Sequence, residues 1–466
     1  MHEITLATPG ADRAKTGASN WLARAGSAMQ RYRRVILATQ WTVVFFYLFL
    51  LIIPAFMPLP AEDAHLYDNL RLFAQFLFWG IWWPFVMLST MLLGRVWCGV
   101  FCPDGALTEF ASRHGLGHAI PRWMRWGGWP LTAFVCTTIY GQLISVYAYS
   151  QAALLILGGS TLAAVTVGFV YGRGKRVWCR YLCPANGVFS LLAKISPLHF
   201  AVDEEAWKRH AGRLPMVDCA PLLDIRHMKS ASACHACGRC SDYRGAVQLA
   251  LRAPDREILA TGNKDVSTAE ALMLIFGLIG IATAAFQWSS SAWFVQMKTA
   301  AAAWLIDHDA FMLLQDNAPW WLLTHYPQAN DVFTWLDGAC ILAFILGGAI
   351  ALGAIVLTAI RVAVWLGGDA KLSWQHLTLA LVPVAGMGIF LGLSMLTLTH
   401  LKAEGIALNW VPTVRIGLLV LGTGLSAWLG WRLIVTRPAI RRLLAYAMFV
   451  LPLGFVDGIW ITAFFG

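Results

Sequence analysis

Residues 95–103 read RVWCGVFCP, and residues 176–184 read RVWCRYLCP. Both stretches have the pattern R-V-W-C-x-x-x-C-P, and each follows a long apolar run. A third group of cysteines comes later in the chain, where Cys219 precedes a C-x-x-C-x-x-C stretch at residues 234–240. These three groups hold eight of the ten cysteines, the number of thiolates that two cubane iron–sulfur clusters require.

The composition is that of an integral membrane protein. The chain of 466 residues is 58% hydrophobic and only 13% charged, which is about half the charged fraction of a typical soluble domain. Several apolar runs exceed the ~18 residues that a helix needs to cross a bilayer. We predict an all-α integral membrane protein of about nine transmembrane helices, at residues 35–56, 73–93, 128–149, 153–171, 269–287, 333–360, 377–400, 416–431 and 444–465.

The distribution of Lys and Arg predicts the orientation of these spans. With the N-terminus inside and the spans alternating, 31 of the 35 Lys and Arg residues fall on the cytoplasmic side and four fall outside. We therefore expect a protein of the bacterial inner membrane whose N-terminus and cysteine motifs are cytoplasmic and whose C-terminus is periplasmic. The net charge of +10 follows from this topology and gives no indication of nucleic-acid binding.

The chain is predicted to have four parts. Residues 1–34 are a basic cytoplasmic tail, and residues 35–200 are a duplicated transmembrane unit in which each pair of spans ends in a C-x-x-x-C-P motif. Residues 201–268 are a cytoplasmic ferredoxin-like segment, and residues 269–466 are a C-terminal five-helix membrane region. Repeated span pairs can surround a pseudo-symmetric site, so we expect the two C-x-x-x-C pairs to face each other.

The paired cysteines of the two motifs indicate a metal or redox site. Cys98 and Cys102 are four residues apart, as are Cys179 and Cys183, so each pair lies on one face of a helix. A reducing cytoplasm disfavours disulfides and favours metal ligation. A shared four-cysteine zinc site and unligated thiol pairs are the alternatives. Cationic residues that favour thiolates flank the motifs: Arg95, Arg173, Lys175, Arg176 and Arg180.

The stretch at residues 234–240 is the more specific signal, because three thiols at this spacing can bind three corners of a cubane. Bacterial ferredoxins place a fourth cysteine four residues further on, but no cysteine follows Cys240 at that distance. The expected fourth ligand is Cys219, with His227 and His235 as weaker alternatives. Cys219 could instead join the cysteines of the membrane motifs.

Spans that end in paired C-x-x-x-C-P motifs, followed by a cytoplasmic ferredoxin-like cysteine group, resemble the NapH/NosR/CcoG-type membrane polyferredoxins. The resemblance covers about residues 35–250 and implies a membrane-bound carrier of 4Fe–4S clusters. It also implies a redox partner protein in a periplasmic or membrane reductase or oxidase system. The residues that match the family's cysteine motifs are Cys98, Cys102, Cys179, Cys183, Cys234, Cys237 and Cys240. To this ligand set we add Cys219.

Two functions are compatible with these features. In the first, two clusters pass electrons from quinol or a cytoplasmic donor to a respiratory or periplasmic partner. The chain would then be the electron-transfer subunit of a quinol dehydrogenase-type oxidoreductase, with quinone as a further cofactor. In the second, the protein is a copper reductase or assembly factor for a respiratory oxidase. A transporter with a structural zinc site is a third, weaker hypothesis.

Several residues outside the cysteine motifs are candidates for metal binding, proton transfer or a structural role. The candidate copper ligands lie in the outer loop: Met297, His308, Met312 and His325. Cys136 and Cys340 are expected to be small buried hydrophobic residues. Asp337 lies near the outer end of its span and is expected to contact water. Asp457 lies deeper, where a structural role and proton transfer beside a quinone are equally compatible with the sequence.

Overall fold

The computed structural model describes residues 17–61, 63–210, 212, 214–262, 265–369, 371–435 and 438–465. Within these ranges most residues are helical, and the strands form two short two-stranded antiparallel sheets. The elements, in chain order, are α1 Gly17–Arg31, α2 Arg33–Phe56, α3 Leu70–Leu93, α4 Pro103–Arg113, α5 Trp129–Leu143, α6 Ser150–Tyr171, α7 Val177–Tyr181, α8 Asn186–Ile195, β1 Leu198–Val202, α9 Glu204–Arg209, β2 Val247–Leu251, α10 Arg256–Ala260, α11 Thr268–Ser290, α12 Ala292–Asp307, β3 His325–Tyr326, β4 Asp331–Val332, α13 Trp335–Gly367, α14 Trp374–Ala403, α15 Val411–Leu433 and α16 Ala439–Phe465.

Eight helices in the described part of the chain are long and apolar enough to cross a membrane: α2, α3, α6, α11, α13, α14, α15 and α16. Each corresponds to a predicted span, and the prediction of an all-α multi-pass membrane protein is confirmed. A helix bonds its own backbone N–H and C=O groups internally, which is why apolar runs of this length are helical in lipid.

The predicted span at residues 128–149 is shorter than expected. α5 ends at Leu143 after 15 residues and does not reach the length of the eight spans. The chain turns at Ser145, which has a left-handed φ of 50° and whose hydroxyl lies 2.7 Å from Oγ1 of Thr324. This bond to a distant loop replaces the continuation of the helix that the hydropathy predicted.

Loop contacts define one end of the bundle, which we call the cysteine end. It holds the loop between α3 and α4 and the segment between α6 and α11. Gly127, before α5, lies beside Ala269 at the start of α11. Nε2 of His376, at the start of α14, lies 2.8 Å from the carbonyl oxygen of Ile258 in α10. The three cysteine groups all belong to this end.

The loops at the opposite end also contact one another. The ring of His65, between α2 and α3, lies 3.1 Å from the carboxylate of Glu404, between α14 and α15. The N–H of Thr324 donates to the carbonyl of Leu143 at the end of α5. Short α5 therefore links the two ends, and the alternation of the predicted spans is retained.

The two halves of the duplicated unit share an irregularity. α3 contains a π-helical stretch at Phe76–Trp82, and α6 contains another at Leu154–Gly158. Such wide turns are rare within helices and are frequent near functional sites. In α3 the carbonyl of Gly80 accepts a hydrogen bond from the hydroxyl of Thr397 in α14. The C-terminal helices thus contact the duplicated unit where its helix is irregular.

α11 and α14 are the most enclosed of the eight spans. Gly386 of α14 approaches Met91 of α3 so closely that an added Cβ would lie 2.7 Å from the sulfur. Gly280 of α11 packs against the backbone of Ala349 in α13. Small residues at such crossings let membrane helices approach each other, so the two parts of the membrane region share one packed core.

The polar segment between α8 and α11 is built on a two-stranded sheet. β1 pairs antiparallel with β2, with Phe200 opposite Leu249. α1 lies on this sheet, because a Cβ added to Gly26 would meet Oγ of Ser241 at 2.7 Å and Cβ of Leu249 at 3.1 Å. The N-terminal helix therefore belongs to the cysteine end.

A buried carboxylate joins this segment to the membrane helices. Glu257 of α10 is 6% exposed and pairs with Arg252 at 2.5 Å and more distantly with Lys194 of α8. It also accepts a hydrogen bond from the N–H of Ala231 at 3.0 Å. These contacts fix the third cysteine group against the end of the bundle.

We expect Thr397→Val to destabilise the protein, because it removes the hydrogen bond to Gly80 between α14 and α3. The loss should be about 0.6 kcal/mol and at most about 1.7, as for other bonds between membrane helices. Thr399→Val is the matched control, since the hydroxyl of Thr399 bonds to Met395 within its own helix. Thermal unfolding in detergent compares the two variants, and equal effects would contradict the expectation.

Candidate metal centres

The first C-x-x-x-C-P motif forms the turn between α3 and α4. α3 ends before Gly94, whose positive φ of 68° turns the chain. Trp97–Phe101 form one wide π-helical turn, and Cys102 is the N-cap of α4, with its Sγ 3.4 Å from the N–H of Gly105. Pro103 takes the first position of α4, where a backbone N–H would have no helical partner.

The second motif forms α7 and the turn after it. Cys179 lies within α7, and Sγ of Cys183 accepts a hydrogen bond from the N–H of Ala185. Burial raises the pKa of Cys102, and the nearby thiols of Cys179, Cys98 and Cys183 raise it further. The structure thus brings the four cysteines of the two motifs close to one another.

The cysteines of the third group border one small pocket: Cys219, Cys234, Cys237 and Cys240. Left-handed φ angles of 46° at Ala236 and 74° at Gly238 wind the loop around this pocket. The N–H of Ala236 lies 3.4 Å from Sγ of Cys234. Cys219 therefore lies with the third group and not with the membrane motifs.

The two histidines considered as alternative ligands lie in different surroundings. His227 is 65% exposed and its ring pairs with Asp224 at 2.6 Å. His235 is buried and borders the same pocket as the cysteines, and its Nδ1 has no hydrogen-bond partner among the described residues. Of the two, His235 alone borders the pocket.

The first and third cysteine groups are in contact through backbone atoms. A Cβ added to Gly99, in the first motif, would lie 2.1 Å from the carbonyl oxygen of His235 and 2.9 Å from N of Cys237. Nε2 of Gln40, buried in α2, donates to the carbonyl of Gly99 at 2.8 Å and holds this turn in place. Glycine at this position allows the first and third groups to lie against each other.

Arg95 is a buried cation without an anion. It is 3% exposed, and its guanidinium donates to the carbonyl of Ser232 at 2.7 Å and to Oδ1 of Asn186 at 2.9 Å. Its Nη2 lies 3.8 Å from Sγ of Cys98. No carboxylate in the described ranges pairs with it. Because an unpaired buried charge is strongly unfavourable, the site requires negative charge at the cysteines.

The carboxylate of Glu109 in α4 pairs with three further arginines. It accepts hydrogen bonds from Nε of Arg176 at 2.9 Å, Nη2 of Arg239 at 2.6 Å and Nη2 of Arg113 at 2.6 Å. Burial alone would raise the pKa of Glu109, but the charges of Arg176 and Arg239 lower it to about 2. One carboxylate therefore faces three guanidinium groups, which leaves positive charge beside the cysteines.

Burial makes several of these thiols harder to ionise. Burial raises the pKa of Cys219, and it raises the pKa of Cys183 and of Cys234 to about 12. Thiolates form here when a bound metal displaces the protons, so metal binding at either group releases protons.

The two groups fit thiolate-ligated clusters. No three His, Cys, Asp or Glu side chains in the described part of the chain converge on a single metal ion. In a cubane each thiolate binds a different iron, so the sulfurs surround the cluster instead of meeting at one point. Four cysteines per group, N–H groups directed at Sγ and a buried guanidinium beside the sulfurs are surroundings that suit such a cluster.

The expectation that Asp337 contacts water is wrong. The residue is 7% exposed, its carboxylate accepts a hydrogen bond from the N–H of Thr334 at 2.9 Å, and it pairs with Lys298. Thr334 and Asp337 form a capping box at the start of α13. Such a box satisfies the first N–H groups of a helix and gives Asp337 a structural role.

Three other residues within or beside the spans lie as follows. Cys340 is buried as expected, but Cys136 is exposed on the surface of α5, where lipid chains can surround an apolar thiol. The carboxylate of Asp457 in α16 has both oxygens 2.8 Å from the hydroxyl of Thr423 in α15.

The outer loop contains α12 but no feature that favours copper. The ring of His308 stacks on Trp304, 4.2 Å between centroids, and its Nδ1 lies 2.8 Å from the carbonyl oxygen of Trp304. Met312 is 77% exposed, and His325 lies in β3. The copper hypothesis gains no structural support from these residues.

Glu109, Arg239 and Gln40 were not predicted from the sequence. Arg239 lies between Cys237 and Cys240, and this position beside two candidate ligands is the sequence signal that indicates it. Glu109 and Gln40 are separated in sequence from their partners by many residues, so no local pattern indicates them.

A family model described as a 4Fe-4S binding domain matches residues 75–125 and 154–201, which contain the two C-x-x-x-C-P motifs. The protein YccM of Escherichia coli strain K12, whose name proposes a role in electron transport, is 25% identical over 238 residues, covering 44% of this chain and 65% of YccM. The regulatory protein NosR of Pseudomonas aeruginosa is 27% identical over 188 residues, covering 34% of this chain and 25% of NosR. No solved structure matches the chain.

The chain thus spans less than two thirds of the length of either relative. The comparisons confirm the resemblance to the membrane polyferredoxins. The third cysteine group and the five C-terminal spans lie outside the residues that the family model matches.

We expect Gly99→Ala to disturb the contact between the cysteine groups, because the new Cβ would overlap the carbonyl of His235. Overpacking of this kind costs about 1–3 kcal/mol. The matched control is Gly159→Ala in α6, where no atom lies within 4 Å of the added Cβ. Thermal unfolding and iron content of the two purified variants check this, and a Gly99→Ala protein as stable and as iron-rich as the control would contradict it.

Proposed function

We propose that this relative of the membrane polyferredoxins carries two 4Fe–4S clusters at one end of its helix bundle. One cluster would be bound by Cys98, Cys102, Cys179 and Cys183, and the other by Cys219, Cys234, Cys237 and Cys240. The observation that carries the proposal is the presence of two four-cysteine groups in backbone contact, beside the buried Arg95, with which no carboxylate in the described ranges pairs.

When bound, such clusters accept and release electrons one at a time. Arg95 offsets the negative charge that four thiolates and a cluster bring into a buried site. The N–H groups of Gly105 and Ala236 direct hydrogen bonds at cysteine sulfurs, which also favours the reduced state. The contact of Gly99 with Cys237 keeps the two groups close, so clusters bound there would exchange an electron without a diffusing carrier.

The cysteine end is proposed to face the cytoplasm of a bacterial inner membrane. The Lys and Arg distribution supports this proposal, because 31 of the 35 Lys and Arg residues fall on the side of the cysteine motifs when the predicted spans alternate. Positively charged loops remain cytoplasmic during membrane insertion. The reducing cytoplasm also keeps thiols available for iron.

Quinol is proposed as the electron donor. Asp104 follows the first motif, and its carboxylate accepts hydrogen bonds from Thr161 at 2.7 Å and Ser160 at 3.1 Å, both in α6. The hydroxyl of Tyr47 in α2 lies 2.9 Å from Oγ1 of Thr161. These oxygens offer hydrogen-bond partners for a quinol hydroxyl beside Cys102. Electrons from quinol would then pass to the third group and on to a respiratory or periplasmic redox partner. Electrons from a cytoplasmic donor would instead enter the protein at the third group.

We expect the protein purified without oxygen to contain about eight iron and eight sulfide per chain, as two cubanes require. Cys98→Ser with Cys179→Ser should remove about half of the iron, and Cys234→Ser with Cys237→Ser should remove the other half. Cys136→Ser is the control, because Cys136 lies on the bundle surface away from both groups. Iron and sulfide analysis with EPR after dithionite reduction checks this. Zinc without sulfide in the unaltered protein would overturn the proposal.

We expect Asp104→Asn to slow reduction of the clusters by a soluble quinol several-fold while leaving reduction by dithionite unchanged. Dithionite requires no binding site, whereas the quinol hydroxyl would lose its carboxylate acceptor. Asp203→Asn is the control, since Asp203 is an exposed N-cap in the polar segment and Asn caps helices equally well. Bleaching of the cluster absorption measures both rates. Unchanged quinol reduction in Asp104→Asn would place the donor elsewhere.

A further inference from the structure

The three arginines on Glu109 come from three parts of the chain that carry cysteines. Arg113 lies on α4, which follows the first motif, and Arg176 begins the second motif. Arg239 lies inside the third group, between Cys237 and Cys240. Glu109 itself is 4% exposed, so the ion cluster is shielded from water and salt.

Arg176 reaches all three cysteine groups. It is 1% exposed, its Nη1 donates to the carbonyl of Cys98, and its own N–H donates to the carbonyl of Ala220 at 2.9 Å, beside Cys219. Cys179 is three residues further along the chain. Nη2 of Arg176 has no hydrogen-bond partner in the described part of the protein. Its charge therefore lies between the two sets of thiols.

Arg239 lies on the other side of Glu109. Its Nη2 is 2.6 Å from both carboxylate oxygens of Glu109, and its Nη1 is 3.9 Å from Oδ2 of Asp218, next to Cys219. The guanidinium side chain is 12% exposed. Both arginines keep contacts besides Glu109, so loss of its carboxylate leaves them beside the cysteines.

We propose that Glu109 is a positioning residue that sets the reduction potentials of both clusters through Arg176 and Arg239. This rests on the proposed two-cluster function. A positive charge beside a cluster stabilises the reduced state, which carries one more negative charge, and raises its potential. Glu109 partly neutralises the two guanidinium groups and so holds both potentials down.

A purely structural role for the ion cluster makes a different prediction. Removing one member of a buried ion network destabilises a protein whichever member is removed. Potentials, in contrast, respond to the sign of the charge. Glu109→Gln should raise both potentials, and Arg176→Gln should lower both.

The test is an EPR-monitored redox titration of full-length protein in detergent, after iron and sulfide have been measured. We expect shifts of opposite sign for Glu109→Gln and Arg176→Gln, each near a tenfold change in the reduction equilibrium, or about 59 mV for one electron. Asp224→Asn is the matched control, because it removes a carboxylate of the same region that is 67% exposed to water. Glu109→Asp keeps the charge and should restore potentials close to those of the unaltered protein.

The outcomes separate the two proposals. An unaltered protein without two clusters would refute the proposed function before any variant is made. Variants that retain both clusters but show unchanged potentials, or shifts of the same sign, would overturn the role of Glu109 alone. If Glu109→Gln fails to assemble clusters, the pair Arg176→Gln and Arg239→Gln tests the charges through which Glu109 is proposed to act. Each variant removes a positive charge and must lower both potentials, and unchanged or raised potentials would overturn the proposal.

Discussion

Positive charge buried beside thiols is the constraint on which the cysteine end depends. Arg95 and Arg176 are almost fully enclosed, yet Glu109 is the carboxylate that pairs with Arg176, and Arg95 has none in the described ranges. Folding such cations into a bundle end is unfavourable unless negative charge is bound there. The proposed thiolate-ligated clusters would supply that negative charge, and folding of this end would then depend on cluster binding.

The membrane architecture could be predicted from the sequence because a bilayer leaves few alternatives. An apolar run of sufficient length must be helical, so the eight long spans followed from hydropathy. The segment at residues 128–149 failed this rule, since a turn at Ser145 is fixed by a bond to Thr324, far away in the chain. Asp337 failed for a different reason. The Thr334 to Asp337 spacing of its capping box was visible in the sequence but was not used.

The cysteine ligands could be found from the sequence, but their surroundings could not. The duplicated motif and the close spacing of residues 234–240 are local patterns. The place of Cys219 was left open, because it depends on how the polar segment folds back onto the bundle. Glu109 binds Arg176 and Arg239, which are 67 and 130 residues away, and only the tertiary fold shows such pairs.

α1 precedes every membrane helix in the chain, yet it packs on parts that are made much later. Gly26 lies against Ser241, and Met29 lies against Gly238 in the loop between Cys237 and Cys240. A ribosome delivers the chain from its N-terminus, so α1 has no docking surface until the third cysteine group has been synthesised. During that interval α1 does not cover the thiols of the third group. α1, although it is synthesised first, therefore packs onto the third cysteine group only after that group has been made.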